Sequence, residues 1–144
     1  QFNLGLMYQL GEGVPRDFTE AARWYRLAAT ADLPEAQLKM GNLTQSGSGV
    51  EHSDELAVFW YRKAAMAGYA PAQSNLGSMY VAGKGVAPDP VEAYAWWTLA
   101  AQAGISQANE WRNKLAIKLT DEQKSDALQA VDELSEQLGA GNAQ

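Results

Sequence analysis

Apolar residues recur along most of the chain at the three- and four-residue spacing of amphipathic helices. Ala72 and Leu76 begin one such stripe, and Trp96 and Ala100 belong to the next. Between them lies the glycine-rich segment 83–89. This pattern predicts two helices joined by a short turn.

The same skeleton occurs three times, offset by thirty-six residues and without a gap. The aligned columns include Gly5, Gly41 and Gly77; Gly11, Gly47 and Gly83; Gly13, Gly49 and Gly85; Ala21, Ala57 and Ala93; Trp24, Trp60 and Trp96; and Tyr25, Tyr61 and Trp97. A fixed period of about 20 to 50 residues is typical of solenoids, because a single helical hairpin cannot bury its apolar face.

The repeat also predicts where helices begin and end. We expect helices over about 1–11 and 18–30, a second unit over 34–68, a third over 70–104, and a further helix over 106–118. The glycine after each first helix suits a left-handed C-terminal cap. The aligned residues that suit N-caps of the second helices are Asp17, Ser53 and Asp89.

Residues 119–144 depart from the repeat. Thr120 and Gln123 have the spacing of a capping box. The apolar stripe that follows consists of Ala127, Leu128, Val131, Leu134 and Leu138. We expect a helix ended by Gly139 and Gly141, with a frayed tail. Its carboxylates favour a C-terminal cap with a polar outer face; docking of a basic partner on that face is the alternative.

The motifs resemble those of the Sel1-like repeat family, which is related to the tetratricopeptide repeats. Residues 76–104 carry them in order: Leu-Gly, Gly-x-Gly-Val, Trp-Trp and Ala-Ala. The resemblance covers residues 1–118 and implies an all-α, right-handed superhelical α/α solenoid of helix-turn-helix repeats, of a kind found in bacteria. Gln1 falls inside a repeat, so we expect the chain to be a fragment or processed product of a longer protein.

Three departures from the family pattern are evident. Thr44 replaces the aromatic residue of the aligned positions, Asp32 replaces a glycine, and Arg112-Asn113 replaces Leu-Gly in the last, degenerate unit.

Composition and charge narrow the possible functions. The chain has no cysteine, which removes disulfides, zinc-thiolate sites and thiol nucleophiles. The net charge is −6, of which −5 lies in residues 120–144, and no basic stripe is present. We therefore expect no nucleic-acid partner. No stretch approaches the length of a membrane span.

Candidate catalytic or ligand-binding residues all have structural interpretations. The Gly-x-Gly turns lack the Walker spacing, and His52, the single histidine, falls in a variable turn position without converging ligands. The strict columns of Trp24, Trp60 and Trp96 favour core packing over a stacking platform for sugars or bases. We predict no catalytic residue, cofactor or metal, with Glu20, Glu35 and Glu92 as surface or capping carboxylates.

The resemblance to tetratricopeptide repeats implies that the first helices line a concave, partner-binding face. Carried over by column, the expected partner-binding residues are Phe2, Leu6, Gln9, Glu35, Leu38, Asn42, Gln45, Ser74 and Ser78. The same columns also contain Leu10, Ser46, Pro71, Val81, Ala82, Gln107, Glu110, Lys114 and Lys118. None of them is expected to be needed for packing. Phe2, Leu6 and Leu38 would form an apolar patch, although Phe2 and Leu6 equally fit residues that cover a missing upstream repeat.

These observations favour a non-catalytic interaction module that binds a protein or peptide on the concave face. The resemblance implies a role like that of Sel1-like adaptors in bacterial signalling, envelope assembly or host contact. The alternative is an accessory or substrate-recruiting domain of a larger enzyme or envelope assembly complex. Catalysis by the chain itself lacks any supporting constellation.

Overall fold

A computed structural model describes residues 1–142, which form α-helices and contain no strand. In chain order the helices are α1 (Phe2–Leu10), α2 (Phe18–Thr30), α3 (Pro34–Ser46), α4 (Asp54–Met66), α5 (Ala70–Ala82), α6 (Pro90–Gln102), α7 (Ser106–Ala116) and α8 (Asp121–Asn142). Every predicted helix is therefore present.

The helices group into two compact units, Gln1–Ala64 and a second that begins at Ala65. In the first unit, α2 packs against both α1 and α3. In the second, α6 packs against α5, α7 and α8. The second helix of a repeat thus forms the centre of each unit.

Aligned small and aromatic residues form the cores. In the first unit, Ala21, Tyr25 and Ala36 are fully buried in one cluster. In the second, Trp97 packs with Ala108. The prediction that the tryptophan columns serve packing is confirmed for the buried Trp60, Trp96 and Trp97, whereas Trp24 is half-buried.

The glycine of each Leu-Gly column lies beneath an aromatic ring of the second helix. A Cβ atom at Gly5 would lie 2.6 Å from Tyr25 Cδ1, and one at Gly77 would lie 2.6 Å from Trp97 Cδ1. Gly41 meets the ring of Tyr61 in the same way. Real Cβ atoms do not approach so closely, so these positions require glycine for the two helices to pack.

The predicted caps are confirmed. Gly11, Gly47 and Gly83 end α1, α3 and α5 in the left-handed conformation, with φ of 76°, 70° and 66°. Asp17 accepts hydrogen bonds from the backbone of Thr19 and Glu20, at 2.9 and 3.1 Å. The other second helices are capped by the aligned residues Asp89 and Ser53.

In the first unit, the side chains at one variable position of the repeat, Arg16 and His52, contact the backbone at the end of the preceding helix. Arg16 Nε donates to the carbonyl oxygen of Gln9 at 3.1 Å, and His52 Nδ1 lies 2.7 Å from that of Gln45. Because a carbonyl only accepts, His52 Nδ1 carries the proton in this contact. His52 is an exposed turn residue, as expected, and it also satisfies a helix-terminal carbonyl.

Two buried glutamines that the sequence analysis did not single out join consecutive helices. Gln37 Nε2 donates to the carbonyl oxygen of Ala29 at 3.1 Å, and the aligned Gln73 donates to that of Ala65 at 3.2 Å. Gln37 and Gln73 are only 2% and 3% exposed. Each glutamine ties the start of a first helix to the end of the preceding second helix.

The C-terminal helix differs from its prediction in two respects. It begins with the expected capping box, in which Thr120 and Gln123 bond reciprocally at 2.9 and 3.1 Å. It does not end at Gly139 but runs to Asn142, since a glycine with helical geometry weakens a helix without terminating it. The rest of the predicted frayed tail, residues 143–144, lies outside the described residues.

The predicted apolar stripe of α8 is also partly wrong. Ala127 and Val131 are buried and Leu134 and Leu138 are half-buried, but Leu128 is 58% exposed. The stripe that α8 buries is narrower than predicted, because the helix packs along a single line of residues. The division into repeats and a C-terminal capping segment remains a prediction.

We expect Gly41→Ala to lower the free energy of unfolding by about 1–3 kcal/mol, because the added methyl group meets the ring of Tyr61. Urea unfolding followed by circular dichroism measures the loss. The matched control is Gly139→Ala in α8, where an added Cβ meets nothing within 4 Å. That variant should be neutral or slightly more stable; an equal loss in both would contradict the packing explanation.

Asp32→Gly should raise the unfolding free energy by up to about 1 kcal/mol, because Asp32 has a φ of 60°, which favours glycine. Its ion pair with Lys63, at 3.2 Å, is exposed and contributes little. Thermal unfolding is the measurement. Asp32→Asn removes the charge and tolerates the same backbone, so it should remain near the wild type. Destabilisation by Asp32→Gly would show that the ion pair outweighs the backbone strain.

Candidate protein-interaction face

The exposed side of the first helices in the first unit carries amide groups that meet tyrosine hydroxyls. The hydroxyl of Tyr25 donates to Gln9 Oε1 at 2.5 Å. The hydroxyl of Tyr61 lies 2.8 Å from both Asn42 Oδ1 and Gln45 Oε1. The rings come from the second helices and pass beside the Leu-Gly glycines. Part of this polar surface therefore stabilises the repeat itself.

Burial raises the pKa of Tyr25 to about 12 from about 10. The ring is fully buried, and its hydroxyl has an acceptor in Gln9. Both features favour the protonated phenol over the phenolate.

In the third repeat, a different aromatic residue packs beside the glycine of the first helix. Trp97 takes the tyrosine column, and its Nε1 donates to the carbonyl oxygen of Ser74 at 3.0 Å. Ser78 Oγ donates to the same carbonyl at 3.3 Å. The column of Gln9 and Gln45 is occupied here by Val81, which is 46% exposed.

The expectation that none of the nine predicted partner-binding residues is needed for packing is wrong. Gln9, Asn42 and Gln45 accept from or lie against tyrosine hydroxyls, and Ser74 is only 6% exposed. A position in a helix column predicts which way a side chain points, but it does not reveal the partner that the opposite helix supplies.

The remaining predicted residues are accessible to different degrees. Phe2 and Leu6 are half-buried and pack against the core cluster of the first unit, with the Phe2 ring centroid 5.5 Å from that of Tyr25. Leu38, Glu35 and Ser78 are half-buried. Asn42 is exposed. Their role in binding remains a prediction.

A groove opens between α5 and α7 in the second unit. One part of it, about 170 Å³, is lined by Val81, Trp97, Trp111, Lys114, Leu115 and Lys118. An adjoining cavity of about 300 Å³ shares Val81, Leu115 and Lys118 and extends to Pro88 and Gln123. We call these two cavities together the Trp97–Lys118 groove. Val81, Lys114 and Lys118 lie in columns predicted to face a partner, but the sequence pattern alone did not predict a groove there.

Residues 1–142 contain no group of three or more histidine and carboxylate side chains placed to hold a metal ion. His52 Nε2 lies 3.7 Å from Asp54 Oδ1, where His52 is in an exposed turn and Asp54 begins α4. None of the helices in the described part of the chain is long and apolar enough to cross a membrane.

Helical hairpins repeated at a fixed period, with aligned caps and cores, define an all-α repeat solenoid. The Sel1 repeat family matches residues 1–33, 34–69 and 70–105. The chain belongs to the Sel1 repeat family, as the sequence motifs predicted. Proteins of this family generally serve as scaffolds for protein interaction and generally lack catalytic activity.

Two solved structures from bacteria are similar to the chain. A protective antigen of uropathogenic Escherichia coli, described as displaying an SLR fold, has a TM-score of 0.81 and 28% identity over 95% of this chain. The match covers 37% of that antigen's chain. A Sel1 repeat protein from Oxalobacter formigenes has a TM-score of 0.73 and 39% identity, over 78% of this chain and 85% of its own. No match was found among curated proteins.

A pH experiment tests the Tyr25 environment. Because the folded pKa lies above the unfolded one, the protonated phenol stabilises the fold fully below about pH 10, and this contribution is lost as the pH rises towards 12. We expect the unfolding free energy of the wild type to fall by on the order of 1–2 kcal/mol more than that of Tyr25→Phe across this interval. Parallel curves for the two proteins in urea titrations would contradict the assignment.

Proposed function

We propose that the chain is a non-catalytic adaptor and that the face lined by its first helices, which corresponds to the concave face in the related repeats, binds a protein or peptide partner. The match of the Sel1 repeat family over residues 1–105 carries this proposal, because that family generally serves protein interaction. No residue is assigned a catalytic role.

The chemistry of the first helices supports the proposal. In the first unit, Phe2, Leu6 and Leu38 offer partly accessible apolar surface, and beside them lies the exposed Asn42, whose Oδ1 is 2.8 Å from the Tyr61 hydroxyl. Apolar contacts with neutral hydrogen-bonding groups beside them suit a peptide laid along a helix-lined surface. Gln9 and Gln45 hold the tyrosine hydroxyls and give this surface a fixed shape.

The test replaces one apolar residue of this surface by a charge. We expect Leu38→Asp to weaken partner binding about tenfold or more, because a charge would be desolvated in the contact. The partner is first captured by the wild-type chain from a lysate of the source organism and identified by mass spectrometry. Its affinity for each variant is then measured by calorimetry.

Leu56→Asp is the matched control. Leu56 lies on the second helix α4 and is 42% exposed, so the chemical change is the same on another side of the repeat. Circular dichroism must show both variants folded. Equal affinity of Leu38→Asp and the wild type would remove Leu38 from the site. Capture of an enzyme or envelope-assembly component would favour the accessory role over that of an independent adaptor.

A further inference from the structure

We propose that the Trp97–Lys118 groove binds an acidic peptide segment that carries a bulky apolar side chain. The proposal rests on the adaptor function and specifies the chemistry of one partner. It follows from a local change in the repeat, from exposed apolar surface, and from two lysines that lack ion-pair partners among residues 1–142.

The groove exists because the third repeat loses a polar contact that the first two retain. There, a tyrosine hydroxyl meets a glutamine, Gln9 or Gln45, at the surface of the first helix. In the third repeat Trp97 uses its only donor on the buried Ser74 carbonyl, and Val81 replaces the glutamine. Neither Trp97 nor Val81 therefore places a polar group where the first two repeats have the contact between hydroxyl and glutamine.

The next helix completes an apolar floor. The ring centroid of Trp111, on α7, lies 5.5 Å from that of Trp97 with the planes at 43°. Val81 is 46% exposed, and Trp111 and Leu115, which also line the groove, are half-buried. Covering such surface with an apolar side chain is favourable, and paired indole rings are efficient anchoring surfaces for it.

The charge beside this floor selects the partner. Lys114, on α7, and Lys118, in the turn that follows it, are exposed, and neither forms an ion pair with a described residue. At the position of Lys114, the second and third repeats have Asn42 and Ser78. At the position of Lys118 they have Ser46 and Ala82, so all four aligned residues are uncharged. The positive charge is therefore particular to this groove.

Carboxylates complement two lysines next to an apolar pocket. A nucleic acid would also supply negative charge, but the chain has a net charge of −6 and would repel a phosphate backbone beyond the groove. An acidic peptide presents only local charge, together with the apolar side chain that the indole floor accommodates.

A selection experiment identifies the preferred peptides. A random-peptide phage library is panned on the full chain, with counter-selection on the bare support. We expect enriched peptides to contain Asp or Glu beside Phe, Trp or Leu. Enriched peptides without an excess of acidic residues would overturn the proposal.

Affinities of the fluorescein-labelled peptides then test the charge. Reversal of Lys114 and Lys118 should weaken binding roughly tenfold or more. The matched control, Lys84→Glu with Lys124→Glu, changes the net charge equally at exposed lysines that do not line the groove, and should alter binding by less than about twofold. Equal losses in both double variants would overturn the assignment to the groove.

Val81→Gln tests the pocket without a change of charge. Glutamine occupies this column in the first two repeats, so the variant should fold normally and partly fill the groove. We expect about fivefold weaker peptide binding with an unchanged melting temperature. Unchanged affinity in the folded variant would overturn the role of the pocket.

The remaining outcomes separate this proposal from the adaptor function. Peptides that bind both the wild type and the Lys114, Lys118 variant, but not Leu38→Asp, would overturn the groove and leave the adaptor function standing. No enrichment above bare support would overturn both. A dimer in sedimentation that the double lysine variant dissociates would identify the occupant as a second copy, through its acidic C-terminal helix, and would overturn the peptide proposal.

Discussion

An aromatic ring lying against the backbone of a neighbouring helix governs the packing of each repeat. The ring comes from the second helix, and the space for it comes from a glycine on the first. Because no Cβ intervenes, the two helices approach closely, and small side chains such as Ala21 and Ala93 become fully buried. The column of alanines has its packing role only as long as the glycine column is kept.

The same contact decides the chemistry of the outer surface. A tyrosine that passes beside the glycine brings its hydroxyl to the far side of the first helix, where Gln9 or Gln45 receives it. The indole N–H of a tryptophan extends less far from the backbone than a tyrosine hydroxyl, and that of Trp97 donates to the Ser74 carbonyl within the repeat. The replacement of tyrosine by Trp97, together with that of glutamine by Val81, therefore exchanges a polar surface for a largely apolar groove.

Features that depend on neighbours in sequence were predictable. The N-cap at Asp17 bonds to residues two and three positions later, and the turn glycine Gly47 ends the helix that it follows. The repeat period also predicted the fold class and the buried small columns. The bond from Gln37 to Ala29 was missed although the glutamine recurs at Gln73, because glutamine near a helix start is usually a surface residue.

Binding by the first helices remains a prediction, and of the nine residues predicted for it most are half-buried and one, Ser74, is buried. Contacts from the opposite helix are not encoded in those columns, and they explain why Ser74 is buried. The groove had a sequence signal in the joint replacement of tyrosine by Trp97 and of glutamine by Val81. That signal acquires a meaning only once the hydroxyl-to-amide contact of the other repeats is known.

The buried glutamine bonds bear on how such a chain can change length. Gln37 and Gln73 make the same side-chain contact to the helix before them, at equivalent points of successive repeats. A duplication or deletion of one whole period in the gene would recreate an existing junction, with its donor and acceptor both in place. Changes of copy number in register thus preserve this hydrogen bond, whereas a shift by a few residues would leave its donor nitrogen and its acceptor carbonyl buried without each other.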